Sequence, residues 1–288
     1  MFLEKLKIFL ELSKIKITIF VTVTTSFGFI AYKGSITPEI ILPTLGTLLL
    51  ACGSAAINHF QERHTDALMD RTKSRPIPGG KISSVNALLF SVVLVITGAV
   101  LLLAGSNITA MLLGLLNLVW YNFIYTPLKR RSTMAIIPGS LVGAIPPAIG
   151  WAAAGGSLLA PQILILSFFF FIWQIPHFWL LLLVLDKDYQ KAGFPTLTKI
   201  FNKKQLSRIT FIWIIATIVT GLLIPLFGIV HINWIIYSMF IGGLFFTWKA
   251  SDLLKDTSDK TDYRFAFNNI NMFVLFVISA VTIDKLIF

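Results

Sequence analysis

A chain of 288 residues that is 56% hydrophobic and only 13% charged, with a mean hydropathy of +0.82, is excluded from the ordinary soluble globular class. Its net charge of +11 reads as membrane topology and affinity for anionic lipid, not as a nucleic-acid footprint. The single cysteine, Cys52, lies in an apolar run and rules out a disulfide framework or a cysteine-rich metal site.

The chain starts with a charged amphipathic stretch (Glu4, Lys5, Lys7, Glu11, Lys14, Lys16). The apolar run behind it shows no small-residue cleavage pattern, so it is read as a span and not as a cleavable signal. Windows of about 20 apolar residues, the length needed to cross the hydrocarbon, fall near 15–31, 38–57, 85–104, 107–124, 134–152, 161–185, 208–229, 231–248 and 268–287. The expectation is an all-α polytopic membrane protein, with nine transmembrane helices around a central apolar cavity open to a cytoplasmic polar rim. Nine spans place the termini on opposite sides. With the N-terminus cytoplasmic, all 24 Lys and Arg residues except Lys33 and Lys285 fall on that side. The positive-inside rule therefore selects a cytoplasmic N-terminus and an external C-terminus, and the expected location is a bacterial-type inner (cell) membrane. No polar linker divides the chain, so 1–288 reads as one transmembrane domain. Its cytoplasmic loops 58–84 and 186–207 both open on acidic residues, a weak hint of duplication.

The first of these loops carries the chemistry. As a helix, its residues Asn58, Glu62, Asp66 and Asp70 share one drifting face in steps of four. They converge closely enough to share a divalent cation, while Arg71, Lys73 and Arg75 beside them meet a polyanion. Solvated ion pairing is the commoner explanation of loop acids in general. Here the register begins at the membrane boundary, where Asn58 is costly without a partner. Mg²⁺ and a diphosphate head at the mouth of a greasy cavity fit a prenyl diphosphate.

Tyr121, Tyr125 and Lys129 form a second ladder of four-residue steps at the same rim. They are read as phosphate donors or as an interfacial aromatic belt. Asp186 and Asp188 close the apolar run from Phe178 to Leu185. A spacing of two puts at most one of them inward, and Asp188 is favoured as ligand to a second cation. His177, beside Pro176, either bonds a carbonyl freed by that proline or meets a ligand. His59 and His64 sit in the polar loop, and nothing is expected of His231.

The run Asn58…Glu62…Asp66…Met69-x-Arg71-Thr72…Arg75-Pro76 resembles the first aspartate-rich motif of the UbiA-type intramembrane prenyltransferases. Four later stretches resemble their haem-farnesylating branch, the protohaem IX farnesyltransferases or haem O synthases: 125–133, Gly143 to Ala153 with Pro146-Pro147, Trp173 to Trp179, and Asp188 to Pro195. Glu62 stands where the wider superfamily has Asp, His64 where this branch carries another acid, and Phe194-Pro195-Thr196 where Pro-Met is usual. The resemblance implies farnesyl transfer from farnesyl diphosphate to a vinyl group of haem B with water addition, Mg²⁺ as cofactor, and haem-copper oxidase assembly proteins as partners. It gives Asn58, Glu62, Asp66, Arg71, Lys129 and Asp188 to catalysis, and Asn58, Glu62, Asp66, Asp70 and Asp188 to metal. Lys73, Arg75, Tyr121, Tyr125, Trp173, His177 and Trp179 fall to substrate, with His177 a contact to the porphyrin iron. A sister prenyltransferase with a quinone-precursor or chlorophyll-type acceptor is the alternative. An ion-coupled transporter is disfavoured because the acids cluster at one rim.

Overall fold

A computed structural model describes residues 2–255 and 260–288, without the side chains of Phe2 and Lys260. Among the described residues the chain is helical, with no strand. The principal helices are α1 (Phe2–Leu12), α2 (Ile15–Lys33), α3 (Ile41–Asp66), α4 (Ser84–Gly105), α5 (Ile108–Val119), α6 (Leu141–Ala153), α7 (Pro161–Lys191), α8 (Lys203–Leu223), α9 (Asn233–Ala250) and α10 (Lys260–Ile287). Starts follow local chemistry. Ser83 caps α4 and Asn107 caps α5 through their side-chain oxygens, and Asn202 with Gln205 forms a capping box on α8.

Among the described residues, eight helical segments are long and apolar enough to cross a bilayer, and the protein is a multi-pass membrane protein. The span expected at 231–248 is the 18-residue helix α9, which is not one of the eight. Asn233, Ser238, Thr247 and Lys249 dilute its apolar content. The backbone N–H groups of His231 and Ile232, just ahead of α9, both donate to Asp284 Oδ1 on α10 (2.9 and 2.8 Å). The span expected at 134–152 is broken: a short helix Ile136–Gly139 precedes α6, and Ser140 Oγ donates back to the Ile136 carbonyl at 2.8 Å.

Without a hydrophobic drive between helices in lipid, close backbone approach binds them. A Cβ on Gly28 of α2 would stand 1.9 Å from the Pro147 carbonyl oxygen, and one on Gly150 of α6 would stand 1.8 Å from that of Thr25. Gly46 of α3 and Gly98 of α4 interlock in the same way, each Cβ meeting the other's carbonyl oxygen at 2.8 and 2.7 Å. Gly28→Ala is therefore expected to cost about 1–3 kcal/mol, since the obstructing atoms are backbone. An unchanged thermal midpoint in detergent would refute the contact. On the other side of α2, Phe27, Phe169, Phe170, Trp173 and Phe273 build an aromatic core.

Candidate active site

Helix α3 runs past its apolar stretch as far as Asp66, so Asn58, Glu62 and Asp66 share a face. Asn58 and Asp66 are 0% exposed and Glu62 is 5% exposed. Buried polar and charged groups need partners, and each of the three has a cation from another segment. Lys14 Nζ donates to Asn58 Oδ1 at 2.6 Å. Lys129 Nζ lies 2.6 Å from Glu62 Oε1. Arg75 Nη1 reaches both Asp66 carboxylate oxygens at 2.8 Å. Asn58 Nδ2 also donates to Thr126 Oγ1 (3.2 Å), whose hydroxyl donates to the Tyr121 carbonyl (2.9 Å).

Asp70 departs from the expected ladder. The helix stops at Asp66 because the chain turns back there: Thr72 Oγ1 donates to the Asp66 carbonyl at 2.8 Å and Arg75 grips its carboxylate. Asp70 is consequently exposed, paired with Lys73 at 3.1 Å and with Lys191 of α7. Arg71 is exposed and forms no hydrogen bond or ion pair among the described residues. Asp186 is held locally by Thr198 Oγ1 (2.6 Å) and Gln190 Nε2 (2.8 Å). The Asp188 carboxylate has no hydrogen-bond partner among the described residues and acts electrostatically on Lys191.

Lys14 is a ladder partner that sequence reasoning missed. It joins α1 to α2 at φ 46°, the only non-glycine positive φ among the described residues. That turn carries its ammonium to the ladder. Burial, with the Arg75 charge added, brings the Lys14 pKa down to about 7 against the pull of Glu62. Lys129 shows the opposite balance: burial would lower its pKa, but the Glu62 carboxylate holds it above the usual lysine range. A lysine just ahead of an apolar run reads as an ordinary interfacial anchor, so no local signal marked Lys14.

The second ladder is not a plain α-helix. Trp120–Tyr125 forms a π-helical segment, with the Thr126 N–H bonded to the Tyr121 carbonyl. Pro127 lacks the donor that would close the next α-turn, and such segments occur often at functional sites. Tyr121 and Tyr125 still stack at 5.9 Å, and the Lys129 ammonium stands 5.5 Å above the Tyr125 ring. A cleft of about 280 Å³ behind Thr126 is lined by Gln61, Pro127, Arg130 and Arg131.

His177 does not take the backbone partner expected beside Pro176. Its Nδ1 lies 2.8 Å from Asn271 Oδ1 of α10, and Trp173 Nε1 donates to the same oxygen at 3.2 Å. No carbonyl freed by Pro176 is involved. Trp179, two residues on, lies on another face and packs edge-on against Trp213 at 6.2 Å in the core. His59 is buried, His64 exposed, and His231 stacks on Phe288 at 4.4 Å.

Among the described residues no three His, Cys, Asp or Glu side chains form a metal cage. Asn58, Glu62 and Asp66 nevertheless supply an oxygen-only set. That set suits a hard divalent cation that completes its shell with phosphate oxygens.

The sequence profile of the UbiA prenyltransferase family matches residues 19–277. A protoheme IX farnesyltransferase of Nitratidesulfovibrio vulgaris is 35% identical over 220 residues, 76% of each chain. One from Cytophaga hutchinsonii is 34% identical over 96% of this chain and 97% of its own. One from Geobacter sulfurreducens is 40% identical over 64% of this chain and 68% of its own. A solved digeranylgeranylglyceryl phosphate synthase superimposes with a TM-score of 0.80 at 20% identity, covering 99% of this chain and all of that one. A UbiA homologue from Archaeoglobus fulgidus bound to GPP and Mg²⁺ superimposes with a TM-score of 0.62 at 16% identity, covering 95% and 99%.

Proposed function

The chain belongs to the UbiA prenyltransferase family, and on that premise we propose that it transfers the farnesyl group of farnesyl diphosphate to a vinyl group of haem B. The farnesyl C1–oxygen bond breaks and diphosphate leaves. Farnesyl C1 bonds the terminal vinyl carbon, water supplies a hydroxyl to the inner one, a proton is released, and the product is haem O. The observation that carries this reading is the buried ladder, each of whose members is already matched by a cation. The names borne by the relatives support the acceptor.

Asn58, Glu62 and Asp66, with Asp188 from the last turns of α7, would hold Mg²⁺, which would supply charge neutralisation to the departing diphosphate. Lys14, Arg75 and Lys129 exchange their present partners for phosphate oxygens, and the Tyr121 and Tyr125 phenols donate beside them. Arg71 and Lys73, exposed at the mouth, attract the polyanion from solution. The farnesyl tail lies in the apolar interior, which keeps stray water from the allylic cation. No side chain acts as a covalent nucleophile, because the vinyl group is the electron-rich partner. His177 and Trp173 face the porphyrin. Purified protein incubated with haem B, farnesyl diphosphate and Mg²⁺ is expected to raise the haem mass by one farnesyl group plus one hydroxyl. An unmodified haem would refute the acceptor.

The same proposal includes one transmembrane unit in a cell membrane, α9 as the ninth crossing, and a haem-copper oxidase assembly protein receiving the product. A reporter fused after Phe288 is expected outside and one in loop 186–207 inside, following the Lys and Arg bias. A cytoplasmic C-terminus would show that α9 does not cross.

A further inference from the structure

Trp173 and His177 are four residues apart on α7, so they share a face, and both reach one atom of α10, Asn271 Oδ1. The chemistry of the three groups fixes every proton in this contact. An indole N–H only donates, so the amide atom that meets it is the oxygen and not the NH₂. That oxygen has no hydrogen to give, so the bond to His177 exists only if Nδ1 carries the proton. In a neutral imidazole the lone pair then sits on Nε2. Nε2 has no partner among the described residues, and the half-buried ring does not seal it. Aromatic rings hold the imidazole plane: Phe267 at 4.8 Å, Trp173 at 4.9 Å and Phe178 at 5.4 Å. Phe20 of α2 closes on Trp173 at 5.5 Å. An asparagine within an apolar membrane helix is costly unless it has such work.

We infer that Asn271 is a positioning residue: with Trp173 fixing its amide, it locks His177 as the Nδ1–H tautomer and presents the bare Nε2 to the iron of the porphyrin substrate. This rests on the haem reading given above. Metal-binding histidines generally donate their second ring N–H to an oxygen, which sets ring orientation and basicity. Here an uncharged amide fills that place. It holds the tautomer while accepting the Nδ1–H bond more weakly than a carboxylate would, which suits a substrate that has to leave.

The test uses full-length protein in detergent, titrated with ferric haem B and followed by absorption and electron paramagnetic resonance. The wild type is expected to show histidine-ligated haem, and His177→Ala to lose that signature. Asn271→Leu, which removes the acceptor, is expected to weaken haem binding about 10–100-fold, the usual cost of losing such an outer partner, with farnesyl diphosphate affinity retained. Asn271→Asp keeps an acceptor for both donors and is expected to retain ligation while lowering the reduction potential of the bound haem. A merely structural asparagine would not move that potential. Wild-type haem affinity and spectrum in Asn271→Leu would overturn the inference, as would an unchanged potential in Asn271→Asp. If the wild type converts haem B without histidine ligation, this inference falls and the farnesyltransferase reading stands. If it neither binds nor converts haem, both fall.

Discussion

Asp66→Asn is expected to lower haem farnesylation at least about a hundredfold, equivalent to ~2.7 kcal/mol of transition-state stabilisation, while the protein inserts and folds. Asn keeps the shape of the side chain and removes the charge that a divalent cation and Arg75 both require. Asp66 is wholly buried and receives both Arg75 contacts at 2.8 Å, so no solvent compensates. Asp70 is the internal contrast. It is exposed, and its pairs with Lys73 and Lys191 are surface pairs, each contributing about 0–1 kcal/mol. Asp70→Asn is accordingly expected to stay within about threefold of wild type. Steady-state turnover of both variants, normalised to folded protein, decides the point. Near-normal turnover in Asp66→Asn, or equal losses in the two, would remove the ladder from the diphosphate site.

The helical class and the apolar segments were legible because they depend on local length and composition. So was the ladder through Asp66, a four-residue period at the edge of an apolar run. What escaped depends on where the chain leaves the regular α-helix and on contacts beyond the helical period. Asp70 left the ladder because Arg75 and Thr72 fold back onto Asp66, a turn that helical spacing does not reveal. Lys14 joined the site through a left-handed turn and a bond to a residue 44 positions away. The π segment at Trp120–Tyr125 changed the pitch of the tyrosine ladder without separating its rings. Asn271 carried a usable signal, since Asn268, Asn269 and Asn271 interrupt an apolar span. Only the fold shows that Asn271 alone of the three meets His177 and Trp173.

Lys129→Met is expected to cost about 3–5 kcal/mol of stability, because it leaves the Glu62 carboxylate buried without its partner. The pair is well enclosed, with Lys129 17% and Glu62 7% exposed at their side chains and 2.6 Å between the charged atoms. Removing both charges relieves that cost: Lys129→Met with Glu62→Gln replaces an ion pair by groups that need no counter-charge. Such replacements of buried pairs are commonly neutral or stabilising. Activity follows a different rule, because the leaving diphosphate needs the lysine and its cation needs the carboxylate. The double variant is thus expected to recover the thermal midpoint of the wild type and still turn over at least about a hundredfold more slowly. If turnover recovered together with stability, Lys129 and Glu62 would be a structural clasp between α3 and the end of the tyrosine ladder, and diphosphate binding would have to rest on Lys14, Arg75 and Asp66 alone.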